Sequence, residues 1–245
     1  MEGPSLIILK EQLNEFRGKI ISHASGLSRV PYEPLKGKKI KFFKTWGKHF
    51  LIVLPGFAIR IHFLMFGSYR INERKDAEPS LALRFAGGRE LNFYTSAVRL
   101  LEGSVNNHYD WSVDVMSDSW NARAARKKLR QLPEMSVSDG LLDQQIFSGV
   151  GNIIKNEVLF RIGVHPDSTV AALPPRKLSA LVHEARNYSF DFYKWKKVFQ
   201  LKKHWLIFTK KKCGRCELPT IKKYTGTTKR RSFYCSNCQK LYANV

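Results

Sequence analysis

The chain has 245 residues, is 43% hydrophobic, and carries a formal net charge of +22 from 42 Lys and Arg against 20 Asp and Glu. That length holds one large domain or two to three small ones, and the hydrophobic content excludes wholesale disorder. The charge points to a polyanionic partner, of which nucleic acid is the large class, with a ribosome-associated or merely solvated basic surface as the alternative.

Leu6, Leu9, Leu13 and Phe16 recur at three- and four-residue spacing, so the segment after Pro4 reads as an amphipathic helix, with Ser5 as N-cap and Gly18 as stop. From Lys19 to about Leu101 the pattern changes to short runs rich in β-branched and aromatic residues: Lys39–Trp46, His49–Leu54, Phe57–Leu64, Leu81–Phe85 and Glu90–Tyr94. Pro55-Gly56, Asn72–Lys75 and Gly87-Gly88 punctuate them, which predicts a β-sandwich or barrel. Glu102 to about Ser119 is polar and irregular, a linker pattern. Helical patterns then run from Trp120 to about Gln200, broken at Pro133, Gly149–Gly151, Pro166 and Pro174-Pro175.

The tail from Asp191 carries 15 Lys or Arg against only Asp191 and Glu217, with aromatics interleaved. It contains Cys213-x-x-Cys216, eighteen intervening residues, and Cys235-x-x-Cys238. Four thiolates at this spacing suit one tetrahedral, structural Zn²⁺, with a redox or disulfide role as the alternative. The separation fits a β-hairpin whose tip holds Lys222, Lys223, Lys229, Arg230 and Arg231, a shape suited to gripping phosphates. No apolar run reaches the roughly 18–20 residues that span a bilayer. The N-terminus lacks the layout of a signal peptide. The expected location is cytoplasmic and nucleoid-associated, without membrane contact, and the expected state is a monomer.

Two segments carry chemistry. At Met1-Glu2-Gly3-Pro4 a carboxylate stands beside an α-amine, whose ordinary pKa of about 7.7–8.0 leaves a neutral, nucleophilic fraction at physiological pH. In Leu141–Glu157, Gly149 and Gly151 bracket a tight turn between helical stretches, and Asn152 can cap the second. Glycines there let backbone amides approach an anion at a helix N-terminus; an ordinary helix corner is the alternative.

Met1–Pro4, the Gly149-Val150-Gly151-Asn152 turn, Val164-His165-Pro166 and the four-cysteine tail together resemble the formamidopyrimidine-DNA glycosylase / endonuclease VIII family, in the family's order and over nearly the whole chain. The resemblance implies an α+β multidomain architecture: an N-terminal helix and β-sandwich (1–103), a linker (104–119), a helix–two-turn–helix domain (120–204) and a zinc finger (205–245). It also implies a base-excision-repair glycosylase with abasic-site lyase activity, in which the N-terminal amine forms a Schiff base at C1′ of a flipped-out nucleotide and Glu2 moves protons. Strand cleavage by β/δ-elimination would follow.

Residue by residue, Lys48 matches a phosphate-holding lysine of the family, or else a hairpin-turn lysine. Asn152 matches a phosphate-contacting asparagine, and Lys155 falls in the same DNA-binding segment. Arg230 stands where the family has its zinc-finger arginine, with Arg231 competing for that role. Met65 matches a side chain that fills the gap left by a flipped base, or else a core methionine.

The chain departs from the family at its start, where Met1 takes the place of the usual proline, so a retained Met1 would supply a primary amine. Ser5 replaces a second glutamate common in the family. Glu90–Leu101 lacks the Arg-x-Phe wedge, and no purine-enclosing lid motif precedes Cys213. These absences point to the endonuclease VIII branch, to oxidised pyrimidines and abasic sites, and to damaged duplex DNA with activity on single strands or bubbles as well. The alternatives are a catalytically weak or inactive lesion-binding protein of the same fold and a zinc-ribbon protein of the translation or transcription machinery.

Overall fold

The computed structural model describes residues 1–243. The chain divides into two compact units: one holds Met1 and Ser5–Asp110, the other Glu2–Pro4 and the chain from Trp111 onward. The division falls inside the polar segment expected as a linker. That segment contains single 3-10 turns at Val105–Asn107 and Trp111–Val113, and it buries Val105, Val113 and Val115.

Helix α1 (Gly3–Gln12) continues into a 3-10 turn at Leu13–Phe16. It starts before the expected cap, so Ser5 lies inside the helix and does not cap it. Leu6, Leu9, Leu13 and Phe16 are fully buried, each contributing about 1.5–3 kcal/mol relative to exposure. Gly18 closes the segment at φ 82°, a conformation that glycine adopts without strain.

Six strands follow: β1 (Ile21–Ser25), β2 (Phe42–Trp46), β3 (His49–Val53), β4 (Phe57–Ile71), β5 (Leu81–Phe85) and β6 (Glu90–Glu102). They form one antiparallel sheet in the order β1-β5-β6-β4-β3-β2. The long strands β4 and β6 belong to both halves. Phe57–Phe63 pairs with Ser96–Glu102 beside β3, and Ser68–Ile71 pairs with Leu91–Tyr94 beside β5. The register shift between Phe63 and Ser68 separates the halves and bends the ribbon, as bulges do. The result is the β-sandwich the pattern predicts. Its core draws Ile21, Phe43, Phe50, Leu83 and Phe93 from strands of both halves. Strand β1 has no clear apolar alternation, with polar Ser22 and His23 between Ile21 and Ala24, and was not legible as a strand.

The second unit contains α2 (Ala122–Arg130), α3 (Val137–Leu142), α4 (Asn152–Arg161) and α5 (Pro175–Lys197). The predicted breaks hold. Asn121 caps α2 by accepting from Ala124 N, and Ser136 caps α3 by accepting from Asp139 N. Helix α5 buries Leu178, Leu181, Val182, Ala185, Tyr188 and Phe192, a stripe at helical spacing. A two-stranded hairpin, β7 (Ile221–Thr225) and β8 (Arg230–Tyr234), completes the unit. Among the described residues no helix is long and apolar enough to cross a membrane.

Candidate nucleic-acid site

Helix α4 organises the second unit through contacts made along its whole length. At its N-terminus the Glu2 carboxylate accepts the N–H of Ile153 (2.7 Å) and of Ile154 (3.3 Å). Gly3 N donates to Gly149 O nearby (2.9 Å). The residue preceding the helix is Gly151, whose φ of −123° suits any residue; glycine is required there by space. A Cβ on Gly151 would lie 2.5 Å from Cδ of Glu2. Asn152 is therefore not the cap that its position suggested. The orphan N–H groups of the first turn are taken by a carboxylate 151 residues away in sequence, and the Asn152 side-chain oxygen is buried without a partner.

One turn on, Lys155 is fully buried. Its Nζ donates to Ser232 Oγ (2.7 Å) and Arg231 O (3.2 Å). Burial, first, pulls its pKa down to about 8, against the opposing pull of Asp139 and Glu2. The expectation that Lys155 contacts DNA is thus corrected: its ammonium is spent inside the protein, holding β8 to α4. Asn156 adds a bond from Phe233 N (2.7 Å). Glu157, also fully buried, accepts the N–H groups of Leu206, Ile207 and Phe208 at 2.9–3.0 Å. At the C-terminal end, the Arg215 guanidinium donates to the carbonyls of Phe160 and Arg161, a favourable place for a cation.

The hairpin differs from expectation. Lys222 and Lys223 lie on β7 and Arg230 and Arg231 on β8, so only Lys229 of the five basic residues sits in the turn. The tip is docked by Asp139 of α3. Its carboxylate accepts the N–H of Thr227 (2.7 Å) and Thr228 (3.1 Å) and the hydroxyls of both threonines. Gly226, at φ 67°, leaves no room for a side chain, since a Cβ would sit 2.5 Å from Cγ of Asp139. Burial alone would raise the Asp139 pKa, but the Thr228 hydroxyl, the Thr227 and Thr228 amides and Ser136 outweigh it and lower it. The two arginines are distinguished by strand alternation. Arg231 Nη2 donates to Tyr224 OH (3.1 Å) and its guanidinium lies over that ring. Arg230, which pairs with Thr225 at the turn end of the hairpin, is exposed.

Cys213, Cys216, Cys235 and Cys238 place their Sγ atoms within 4.8 Å of one another, with closest approaches of 3.4, 3.5 and 3.7 Å. A tetrahedral Zn²⁺ with bonds of about 2.3 Å separates its sulfurs by about 3.8 Å, so the donor set fits the ion in both chemistry and spacing. The motif Val164-His165-Pro166 is tied to this end of the chain: His165 N donates to Lys240 O (2.9 Å), and its ring meets Tyr234 edge-on at 4.3 Å.

In the first unit, Met1 packs against the sandwich core and lines a cavity of about 430 Å³ with Gln12, Ser68, Tyr69, Arg70, Ile71 and Glu73. Lys48 occupies the turn between β2 and β3, and its carbonyl accepts a hydrogen bond from His62. His62 is held below its ordinary pKa by burial first, against that bond, and further by the positive Met1 amine, Lys48 and Arg60. His49 beside it, with ring centroids 5.2 Å apart, is pushed down to about 3 by burial and by the charges of Arg60 and His62. This neutral histidine pair near the amine was not found from sequence. Its only signal is the cross-strand register His49↔His62, visible once β3 and β4 are paired.

Met65 sits in the register break of β4 and is 67% exposed, between exposed Leu64 and a Phe66 that is 90% exposed. The core-methionine alternative is excluded. Glycine is required at Gly67 by space, since a Cβ there would lie 2.7 Å from Thr95 O.

Residues 112–188 match the family described as Formamidopyrimidine-DNA glycosylase H2TH domain. The chain is 32% identical to endonuclease 8-like 3 of Mus musculus over 80% of its own length and 34% of that protein's. It is 28% identical to endonuclease 8 2 of Mycobacterium bovis over 84% and 86% of the two chains. It thus spans about a third of the length of the endonuclease 8-like 3 proteins it matches. The crystal structure of Lactococcus lactis formamidopyrimidine DNA glycosylase, bound to DNA containing an abasic site, has the same fold at a TM-score of 0.88. That similarity covers 98% of this chain and 100% of the other at 20% identity.

Proposed function

Because the chain belongs to the formamidopyrimidine-DNA glycosylase / endonuclease VIII family, we propose that it is a base-excision-repair DNA glycosylase with abasic-site lyase activity, acting on oxidised pyrimidines. The observation that carries this reading is the Glu2 carboxylate on the Ile153 and Ile154 amides. It fixes the residue next to Met1 at the N-terminus of a helix, a setting built for anions.

In this mechanism the neutral Met1 amine attacks C1′ of a flipped-out nucleotide, the C1′–N bond breaks, and the base leaves with a proton from solvent. The Glu2 carboxylate takes a proton from the newly attached nitrogen and passes it to O4′ as the sugar ring opens, and the resulting imine acidifies the 2′ proton whose removal begins β-elimination. Neutral His62 and His49 keep further positive charge away from the amine. Lys48, Asn152 and Arg230 bind phosphates, and Met65 enters the gap left by the flipped base. The four cysteines would hold one structural Zn²⁺, whose closed donor set organises the hairpin and takes no part in the chemistry. The proposed substrate is damaged duplex DNA, with single-stranded and bubble DNA also accepted, and the protein acts as a monomer.

Glu2→Gln tests the reading. Excision of 5-hydroxyuracil is expected to fall by at least about 100-fold with DNA affinity nearly unchanged. Retained excision would remove Glu2 from the mechanism.

A further inference from the structure

Helix α5 ends in a turn that neither packing nor backbone preference explains. Phe199 N donates to Lys196 O (3.1 Å) and Gln200 N to Trp195 O (2.8 Å), the paired bonds that close a helix through a left-handed residue, usually glycine. Here that residue is Phe199, at φ 58°, and its side chain is 95% exposed. A phenylalanine in this position strains the backbone while leaving a large apolar ring in water. Val198 beside it is also exposed.

The surroundings are uniformly basic. Lys194, Lys196, Lys197, Lys202 and Lys203 are exposed around the turn. The sequence carries eight lysines and no acidic residue between Asp191 and Glu217. The turn has a firm base, because the Trp195 ring stacks on His204 at 4.1 Å with an interplanar angle of 8° and Leu201 is buried.

We propose that this turn is a second nucleic-acid contact, made by residues outside the site assigned above, and that it takes an unpaired strand. The Phe199 ring stacks on one base while the lysines on either side bind the flanking phosphates. Stacking on an exposed aromatic within a positive surface is how single strands are held without sequence preference. An anionic membrane also attracts lysines and aromatics, but the apolar stripe of α5 is already buried in the core. Among the described residues of α5 and this turn, only Val198 and Phe199 are large exposed hydrophobics, whereas an interfacial helix inserts a whole face.

The test is fluorescence anisotropy of the full chain with a lesion-free oligothymidylate, comparing wild type with Phe199→Gly. Glycine relieves the left-handed strain, so the variant is expected to melt at or above the wild-type temperature while its affinity for the oligonucleotide falls about tenfold. Wild type that does not bind the oligonucleotide, or equal affinity in the two proteins, overturns the proposal. So does a Phe199→Gly defect confined to phosphatidylserine–phosphatidylcholine vesicles titrated in parallel. Borohydride trapping on an abasic duplex at saturation, run on both proteins, keeps this proposal distinct from the glycosylase reading. Equal trapping is expected. A wild type that fails to trap but binds oligothymidylate through Phe199 supports the contact and removes the lyase.

Discussion

Glu2 Oε1 accepts the Ile153 amide at 2.7 Å, and the absent side chain of Gly151 is what makes room for that carboxylate. A requirement for glycine at an ordinary φ is a requirement for space, and here the space is filled by the proposed proton shuttle.

Gly151→Ala follows from that relationship. The new methyl meets the end of a flexible side chain, so the carboxylate can move aside and the fold is expected to lose less than about 1 kcal/mol. The displaced carboxylate no longer serves the reacting sugar, and excision is expected to fall about 100-fold, as misplacement by about 1 Å does elsewhere. Thermal melting and single-turnover excision on the same preparation check both halves. Full excision with a normal melt would show that the position of Glu2 does not matter.

Asp139 predicts an acid-labile hairpin. Its folded pKa lies below its unfolded value. Its contribution to stability is therefore present above the unfolded value of about 3.9 and is lost as pH falls from there through the folded value. Asp139→Asn is expected to cost about 1.5–3 kcal/mol at pH 7, the scale of hydrogen bonds to a charged group. It should also flatten the acid limb of the stability curve. Denaturant melts from pH 7 down to pH 3 measure this; parallel curves for the two proteins would refute it.

The local motifs were legible in the sequence because each is defined within a few residues of itself. The Cys-x-x-Cys pairs meet as their spacing required, the Gly149–Gly151 turn precedes a helix, Pro133 falls between helices, and Pro174 precedes α5, which Pro175 opens. What escaped were environments assembled from distant segments. Lys155 reads as a surface cation until β8, about 75 residues on, closes over it. Asn152 reads as a cap until Glu2 arrives from the other end of the chain. The apolar run through Met65 hid a register break that depends on pairing with β6. Asp139 carried no signal, since only the folded hairpin brings Thr227 and Thr228 to it.

Removing the proposed zinc is expected to unfold the hairpin before the helices. Cys235, fully buried among its three partners, is the decisive ligand to change. Cys235→Ser is expected to drop bound zinc from one equivalent to none and to lower the melting temperature, and a chelator should have the same effect on wild type. Elemental analysis beside a melting curve checks both; zinc retained at one equivalent would refute the four-cysteine site.

Borohydride trapping on an abasic-site oligonucleotide, with mass spectrometry of the cross-linked peptide, tests the central claim most directly. A reduced adduct on the Met1 amine is the predicted result, and it would establish the lyase step and methionine as the nucleophile in place of proline. Tight binding without a cross-link, with Met1 intact, would contradict the account and leave a lesion-binding protein built on a glycosylase fold.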